Sequence, residues 1–181
     1  MTDIYFIAQT EVETATATDI EFTSIPADYD ELILILSARS TKSSTTDNIA
    51  LTFNSSAAAY YGLILYQENS GTPASANASN VSSSNFLYAT GDTAAANCFS
   101  TTTVRISGYT TTAAKPFTIE SATTNNSSSV LQAFGNGVWN NSSTINSLKL
   151  DPTTGDFMQY SKATLYGVLS GSDGSTTGSS S

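Results

Sequence analysis

The segment Asp28-Tyr29-Asp30-Glu31-Leu32-Ile33-Leu34-Ile35-Leu36 carries the strongest strand signal in the chain. Three acidic residues precede a run of five aliphatic residues, which is too short for a typical buried helix. A strand that is apolar on both faces is usually buried on both faces. In a sandwich of two sheets, one face of this strand meets the core. We therefore expect its other face to meet a further surface, such as a neighbouring subunit.

Further strand signals recur along the chain and are separated by polar turns. They lie at residues 20–23, 49–53, 61–66, 86–88, 97–109, 117–119, 130–134, 145–150 and 163–169. Short strands at spacings of about 8–12 residues are typical of an all-β sandwich or barrel. No window combines helical periodicity with a capping signal. Residues 68–84 are rich in Ser, Asn, Ala and Gly, and we expect them to form a long surface loop.

The domain organisation follows from the length of the chain and from the composition of its ends. A chain of 181 residues fits one domain better than two. We predict a single domain over residues 1–169, in which residues 1–16 are available as an N-terminal arm. Residues 170–181 consist almost entirely of Gly, Ser and Thr, which predicts a flexible tail.

The excess of acidic residues argues against two classes of partner, nucleic acids and anionic membrane surfaces. The chain has 6 Lys and Arg against 15 Asp and Glu, a net charge of −9, and a pI near 4.1. Nucleic-acid binding depends on cations that meet phosphates, so this balance argues against it. The same reasoning argues against anionic membrane surfaces. Charged residues make up only 12% of the chain, which is about half the usual share.

Histidine and cysteine usage bears on catalysis. The chain has no histidine, which removes Ser-His-Asp and Cys-His catalysis and most catalytic zinc sites. The single cysteine, Cys98, forms no disulfide within the chain, and we expect it to be a small core residue. We therefore expect no enzyme, no cofactor and no metal site.

The chain carries no recognisable targeting pattern. Its first residues, Met1-Thr2-Asp3-Ile4, lack the basic and apolar regions of a secretory signal. The run from Leu32 to Leu36 is far shorter than the roughly 20 apolar residues of a membrane helix. We expect synthesis in a cytoplasm and no association with a membrane.

Three aromatic residues are the candidates for contact with a partner. Tyr60, Tyr61 and Trp139 are able to stack on a sugar ring or to bury area against another subunit. The alternative is that they fill the core, where Trp is mostly buried.

Two acidic clusters, residues 28–31 and 151–156, are candidates for a cation site or for a carboxylate pair that hydrolyses a glycosidic bond. We interpret the first cluster as a solvated loop and the second as a β-turn that contains Pro152 and Gly155. For Arg39 and Arg105 we expect pairing with surface carboxylates.

Three ordered segments resemble a group of small structural proteins that are common in tailed phages of aquatic bacteria. The first runs from Phe22-Thr23-Ser24-Ile25-Pro26 to Leu34, and the second is Leu51-Thr52-Phe53-Asn54 followed by Tyr60-Tyr61. The third runs from Gly137-Val138-Trp139 through Gly155-Asp156-Phe157 to Leu165-Tyr166-Gly167-Val168. The acidic pair Asp30-Glu31 departs from the more neutral pair that is frequent in this group. The resemblance implies an antiparallel, jelly-roll-like β-sandwich, a homotrimer, and a place on the virion surface in the head or tail.

These observations favour a phage virion structural protein, and they leave the location on the particle open. The first hypothesis is a head decoration or cement protein that binds the major capsid protein. The second is a tail-fibre or receptor-binding protein that contacts host glycan. The third is a polysaccharide depolymerase that uses carboxylates such as Asp28 and Asp151, and the low charge content and the lack of histidine argue against it.

Overall fold

The computed structural model describes residues 2–69, 71–127 and 130–170. Within these ranges the chain forms fourteen β-strands and no helix, so the predicted all-β class is confirmed. The strands are β1 Thr2–Glu11, β2 Thr16–Ala17, β3 Ile20–Phe22, β4 Glu31–Ser37, β5 Thr46–Phe53, β6 Tyr60–Glu68, β7 Ala74–Val81, β8 Ser84–Thr90, β9 Thr101–Ser107, β10 Lys115–Thr124, β11 Val130–Trp139, β12 Leu148–Pro152, β13 Phe157–Met158 and β14 Lys162–Ser170. None of the described segments is a helix able to cross a membrane.

Two antiparallel sheets form a sandwich. The larger sheet has eight strands in the order β1-β14-β4-β9-β10-β11-β6-β7, and the smaller has four in the order β3-β12-β5-β8. β13 and β2 form a separate two-stranded ladder. The edges of the larger sheet are therefore β1 and β7. The antiparallel β-sandwich predicted from the sequence is confirmed.

The core lies between the two sheets, and strands such as β5 and β10 contribute every second residue to it. In β10 the residues from Lys115 to Thr124 alternate between buried and exposed along most of their length. β5 alternates in the same way, with Ile49, Leu51 and Phe53 fully buried. This period of two is the pattern of an antiparallel sheet with one solvated face.

An aromatic cluster fills one part of this core. The ring of Phe53 lies 5.7 Å from the rings of both Phe117 and Trp139 and 5.9 Å from that of Tyr60, measured between centroids. All four side chains are at most 2% exposed. Phe53 comes from the smaller sheet and the other three from the larger one. The cluster therefore packs side chains of the two sheets against one another.

Two glycines on neighbouring strands make room for the rings. Gly62 of β6 lies opposite Gly137 of β11 in the register. A Cβ at Gly62 would lie 2.7 Å from Cε2 of Phe86, and one at Gly137 would overlap the ring of Phe117. Contacts this short do not occur between unstrained atoms, so both positions require glycine for packing reasons.

The strand from Leu32 to Leu36 has one face in the core and the other on the solvent side of the larger sheet. Leu32, Leu34 and Leu36 are fully buried in the core, whereas Ile35 is 42% exposed. Ile33 is half-buried beside it. The strand is thus apolar on both faces but buried on only one within this chain. Contact of its outer face with a neighbouring subunit stays a prediction.

The prediction of a long loop over residues 68–84 is wrong. Residues 74–81 form β7, which pairs with β6 from Tyr66 opposite Ala74 to Tyr60 opposite Val81. Ala76, Ala78 and Val81 pack against the core from this edge. Small and polar residues have weak strand propensity, and pairing with β6 overrides it here.

The structure bears differently on the predicted N-terminal arm and on the predicted C-terminal tail. The segment 1–16, expected to be available as an arm, contains β1, which is hydrogen-bonded to β14 of the same chain from Thr2 opposite Ser170 to Glu11 opposite Lys162. Ser170 is the last residue of β14, and the rest of the predicted tail, residues 171–181, lies outside the described residues.

Candidate binding face

The solvent side of the eight-stranded sheet is the broadest continuous surface that the strands build, and it is called the outer face below. The register places its side chains in rows that cross the sheet. One row runs Phe6, Tyr166, Ile33, Arg105, Thr118, Asn136, Leu63, Asn77. A second row runs Gln9, Thr164, Ile35, Thr103, Glu120, Phe134, Leu65, Ser75. Each row has apolar residues on both sides of a polar middle, and at least one end of each row is itself polar.

The first apolar group, the β1 cluster, consists of Ile4, Phe6, Ile33, Ile35 and Tyr166. Ile4 is 62% and Phe6 63% exposed. The ring of Phe6 meets that of Tyr166 edge-on, with the centroids 6.2 Å apart. These side chains lie on three adjacent strands, β1, β14 and β4. They form one apolar patch at one end of the outer face.

The second apolar group, the β6 cluster, consists of Tyr61, Leu63, Leu65 and Phe134. Leu65 is 58% and Phe134 60% exposed, and the two lie opposite each other on β6 and β11. Leu63 is 44% exposed. This patch lies at the other end of the outer face. Large exposed apolar side chains grouped in this way usually mark an interaction surface.

An ion pair occupies the middle of the outer face. The Nε and Nη2 atoms of Arg105 donate to the two carboxylate oxygens of Glu31 at 3.1 and 2.6 Å. These bonds raise the pKa of the Arg105 guanidinium above its usual value. The pairing of Arg105 with a surface carboxylate is thereby confirmed. An exposed pair of this kind adds about 1 kcal/mol at most to stability, so its main effect is to fix polar groups on the surface.

A shallow groove of about 350 Å³ lies beside this pair. Glu31, Arg105, Thr118, Asn136 and Val138 belong to its lining. Arg105, Thr118 and Asn136 are exposed. Guanidinium, hydroxyl and amide groups are hydrogen-bonding groups of the kind that bind a hydroxyl-rich ligand or a partner's backbone.

The three aromatic residues expected to make contacts do not lie together on the surface. Tyr60 and Trp139 have no exposed area, so they are core residues and are removed from the set of contact candidates. The backbone N–H of Phe53 donates to the Tyr60 hydroxyl at 2.6 Å. Burial raises the pKa of Tyr60 to about 12. Only Tyr61, which is 37% exposed, lies on the outer face.

The two acidic clusters lie on different sheets. Asp28 is exposed in the loop before β4 of the larger sheet. Asp151 is in β12 of the smaller sheet, where its carboxylate lies 2.7 Å from Nζ of Lys149. Gly155 has a φ of 86° in the turn after β12, as a tight turn requires. No group of three or more possible metal ligands occurs among the described residues.

Arg39 pairs with the exposed carboxylate of Asp92, as expected, but Arg39 itself is buried. It is only 6% exposed, and its guanidinium donates to the carbonyl oxygens of Asp92, Ala94 and Ala95 at 3.0, 2.8 and 2.6 Å. The Asp92 carboxylate lies farther away, at 3.7 Å. Arg39 therefore fixes the loop between β8 and β9. Cys98, in the same loop, is buried as expected.

The sequence did not reveal the apolar residues of the outer face. Leu63 and Leu65 were part of a single apolar run over 61–66, in which Ile64 is the buried member. The run contains no polar residue, so the period of two along a strand defines its two faces but does not say which one meets the core.

Comparisons with known proteins give no family. No family model and no curated protein matches the chain. Among solved structures, an exo-inulinase from Aspergillus awamori is similar at 12% identity and a TM-score of 0.43, covering 91% of this chain and 29% of that one. The chain thus spans less than a third of the enzyme's length. Galectin LEC-6 of Caenorhabditis elegans is similar at 12% identity and a TM-score of 0.34, covering 90% of this chain and 94% of that one.

Proposed function

We propose that this protein is a structural protein of a phage particle, and that it binds the particle through the outer face of its eight-stranded sheet. The observation that supports this most is the pair of apolar clusters on that face. Leu65 and Phe134 at one end and Ile4 and Phe6 at the other are each about 60% exposed. Side chains of this size on one face lose their contact with water when a partner covers them.

The first candidate within this proposal is a head decoration protein that binds the major capsid protein at the virion surface. The order of motifs in the sequence resembles that of such proteins. The β6 cluster provides apolar contact area, and the polar middle around Arg105 and Glu31 provides oriented hydrogen bonds. Specific protein interfaces combine buried apolar area with direct hydrogen bonds.

A tail-fibre protein that contacts host glycan is the second candidate, and the groove beside Arg105 favours it. The groove offers the guanidinium of Arg105, the amide of Asn136 and the hydroxyl of Thr118. Tyr61 lies on β6 opposite Val138, which lines the groove. Sugar recognition uses such hydrogen-bonding groups beside an aromatic ring. Loss of host adsorption in an Asn136→Ala variant with unchanged capsid stability would favour this candidate.

Rebinding to particles tests the first candidate. Purified protein is added to phage particles that lack the gene for this chain, and bound protein is measured after sedimentation. We expect saturable binding, which Leu65→Asp and Phe134→Asp weaken by about tenfold or more because both place a charge in an apolar contact. Tyr160→Asp is the matched control, since Tyr160 is 60% exposed but lies in the turn between β13 and β14.

Two results would contradict the proposal. One is the absence of saturable binding to particles that lack the protein. The other is binding to which Leu65→Asp and Phe134→Asp make no difference relative to Tyr160→Asp.

A further inference from the structure

The edge strand β1 combines unpaired backbone groups with highly exposed apolar side chains. It pairs with β14 on one side, and no described strand lies on its other side. Ile4 and Phe6 are the most exposed large hydrophobic residues in the part of the chain that the structure describes. A free edge of this composition favours the addition of another strand.

The opposite edge of the sheet is much less suited to strand addition. β7 presents Ser75 and Asn77 on the outer face, and Asn80 has a left-handed φ of 54°. Its pairing with β6 also shifts register between Tyr60 and Gly62. Small polar side chains and irregular backbone are features that protect an edge from pairing. Both edges carry one register shift, so the contrast lies in their side chains and in the left-handed Asn80, and it favours β1 as the associating edge.

We propose that β1 pairs antiparallel with β1 of a second copy of this chain, about a two-fold axis at Tyr5, so that two eight-stranded sheets become one. In this register Tyr5 lies opposite its counterpart, and Ile4 of each copy lies opposite Phe6 of the other. Residues directly opposite in an antiparallel pair point to the same face. The four apolar side chains therefore meet on the outer face and extend the β1 cluster across the axis.

Charge and backbone geometry favour this register over one with the axis at Ile7. The regular part of β1 ends at Phe6, because its pairing with β14 shifts between Phe6 and Ala8. An axis at Ile7 would fall on this irregularity and would place Asp3 opposite Glu11, and like charges in opposite positions are destabilising. With the axis at Tyr5, Asp3 lies opposite Ile7. The strand is thus complementary to itself, as a two-fold interface requires.

The inference goes beyond the proposed function and does not depend on it. Particle binding is tested at Leu65 and Phe134 of the β6 cluster, whereas self-association is tested at the β1 edge, so each can fail alone. The inference also gives a dimer, whereas the resemblance in the sequence implies a homotrimer. Each copy carries a net charge of −9. Repulsion between the copies should therefore weaken as salt is added, and association should strengthen.

Sedimentation equilibrium of the full chain over a range of concentrations and salt tests the proposal. We expect a monomer–dimer equilibrium that shifts towards dimer as salt rises. Phe6→Asp should raise the dissociation constant of the dimer by about tenfold or more. Phe134→Asp, at a position of nearly equal exposure in the β6 cluster, should leave it unchanged.

Disulfide trapping tests the register. In a Cys98→Ala background, Tyr5→Cys should give a covalent dimer on mild oxidation, because opposite residues have Cα atoms about 4.5–5.5 Å apart, within the span of a disulfide. Asn77→Cys on β7 is the control and should give no covalent dimer. A monomer or trimer at all concentrations, dissociation by Phe134→Asp in place of Phe6→Asp, or trapping by Asn77→Cys in place of Tyr5→Cys would overturn the proposal.

Discussion

The indole ring of Trp139 stacks on the phenol ring of Tyr60 inside the core, with the centroids 6.3 Å apart and the planes at 22°. The two residues lie opposite each other on β11 and β6. Neither has any exposed area. Tyr60 and Trp139, which were candidates for contact with a partner, therefore pack together as a core pair. Their neighbour Tyr61 points to the other side of the sheet.

The first prediction concerns this core pair. Trp139→Ala should lower the free energy of unfolding by about 3–5 kcal/mol, because it removes a large buried side chain and leaves a cavity. Tyr61→Ala is the matched control, and its exposed position predicts a loss below about 1 kcal/mol. Urea unfolding measures both losses of free energy, with circular dichroism as the signal because it does not depend on tryptophan. Equal losses for the two variants would contradict the assignment of Trp139 to the core.

The second prediction is a dependence of stability on alkaline pH. Burial raises the pKa of Tyr60 from 10.0 to about 12. The unfolded chain therefore releases this proton first as pH rises. The contribution of the protonated Tyr60 side chain to the free energy of unfolding is fully present below pH 10 and is lost as pH rises through about 12. This loss amounts to about 2–3 kcal/mol.

Replacement of Tyr60 separates this effect from other titrations. Tyr60→Phe should cost about 1–3 kcal/mol at neutral pH, because the buried N–H of Phe53 loses its acceptor. The variant should then lose less stability than the wild type between pH 10 and pH 12. Tyr61→Phe should follow the wild type. Parallel pH profiles for Tyr60→Phe and the wild type would show that Tyr60 is not the titrating group.

The third prediction concerns the loop held by Arg39. Arg39→Met keeps most of the side-chain volume but removes the bonds to the carbonyl oxygens of Asp92, Ala94 and Ala95. We expect a loss of about 3 kcal/mol or more, since Arg39 is buried and hydrogen bonds from a charged donor contribute strongly. Hydrogen exchange should accelerate in the segment 91–100.

Arg105→Met provides the comparison for Arg39→Met. Arg105 bonds to Glu31 on the exposed outer face, where an ion pair contributes about 1 kcal/mol at most. Loss of this ion pair should leave hydrogen exchange in the segment 91–100 unchanged. Equal effects of the two substitutions on that segment would contradict the role given to Arg39.

The sequence predicted the fold class but not the surface that the fold presents. Strict alternation, as in Ile49, Leu51 and Phe53, identifies strands because their side chains point to opposite faces in turn. The residues of β7 carry no such signal, since Ala, Ser and Asn become a strand only through pairing with β6. Local pattern does not contain that long-range information.

The same limit explains why the sequence left open which of the candidate aromatic residues face the core. Tyr60 and Tyr61 are adjacent, so one of them had to face the core and the other the solvent. The choice between them depends on Gly62 and Gly137, which lie opposite each other on different strands. That pairing links residues far apart in the sequence. The outer apolar clusters were missed for the same reason, because their members come from separate strands.

The most direct test of the central claim is quantitative mass spectrometry of purified phage particles. It measures the number of copies of this chain relative to the major capsid protein. The head decoration proposal predicts a ratio near one or a simple integer fraction of it. A very small ratio would place the protein on the tail or at a single vertex, against decoration of the head. Absence of the chain from the particles would contradict the virion proposal itself.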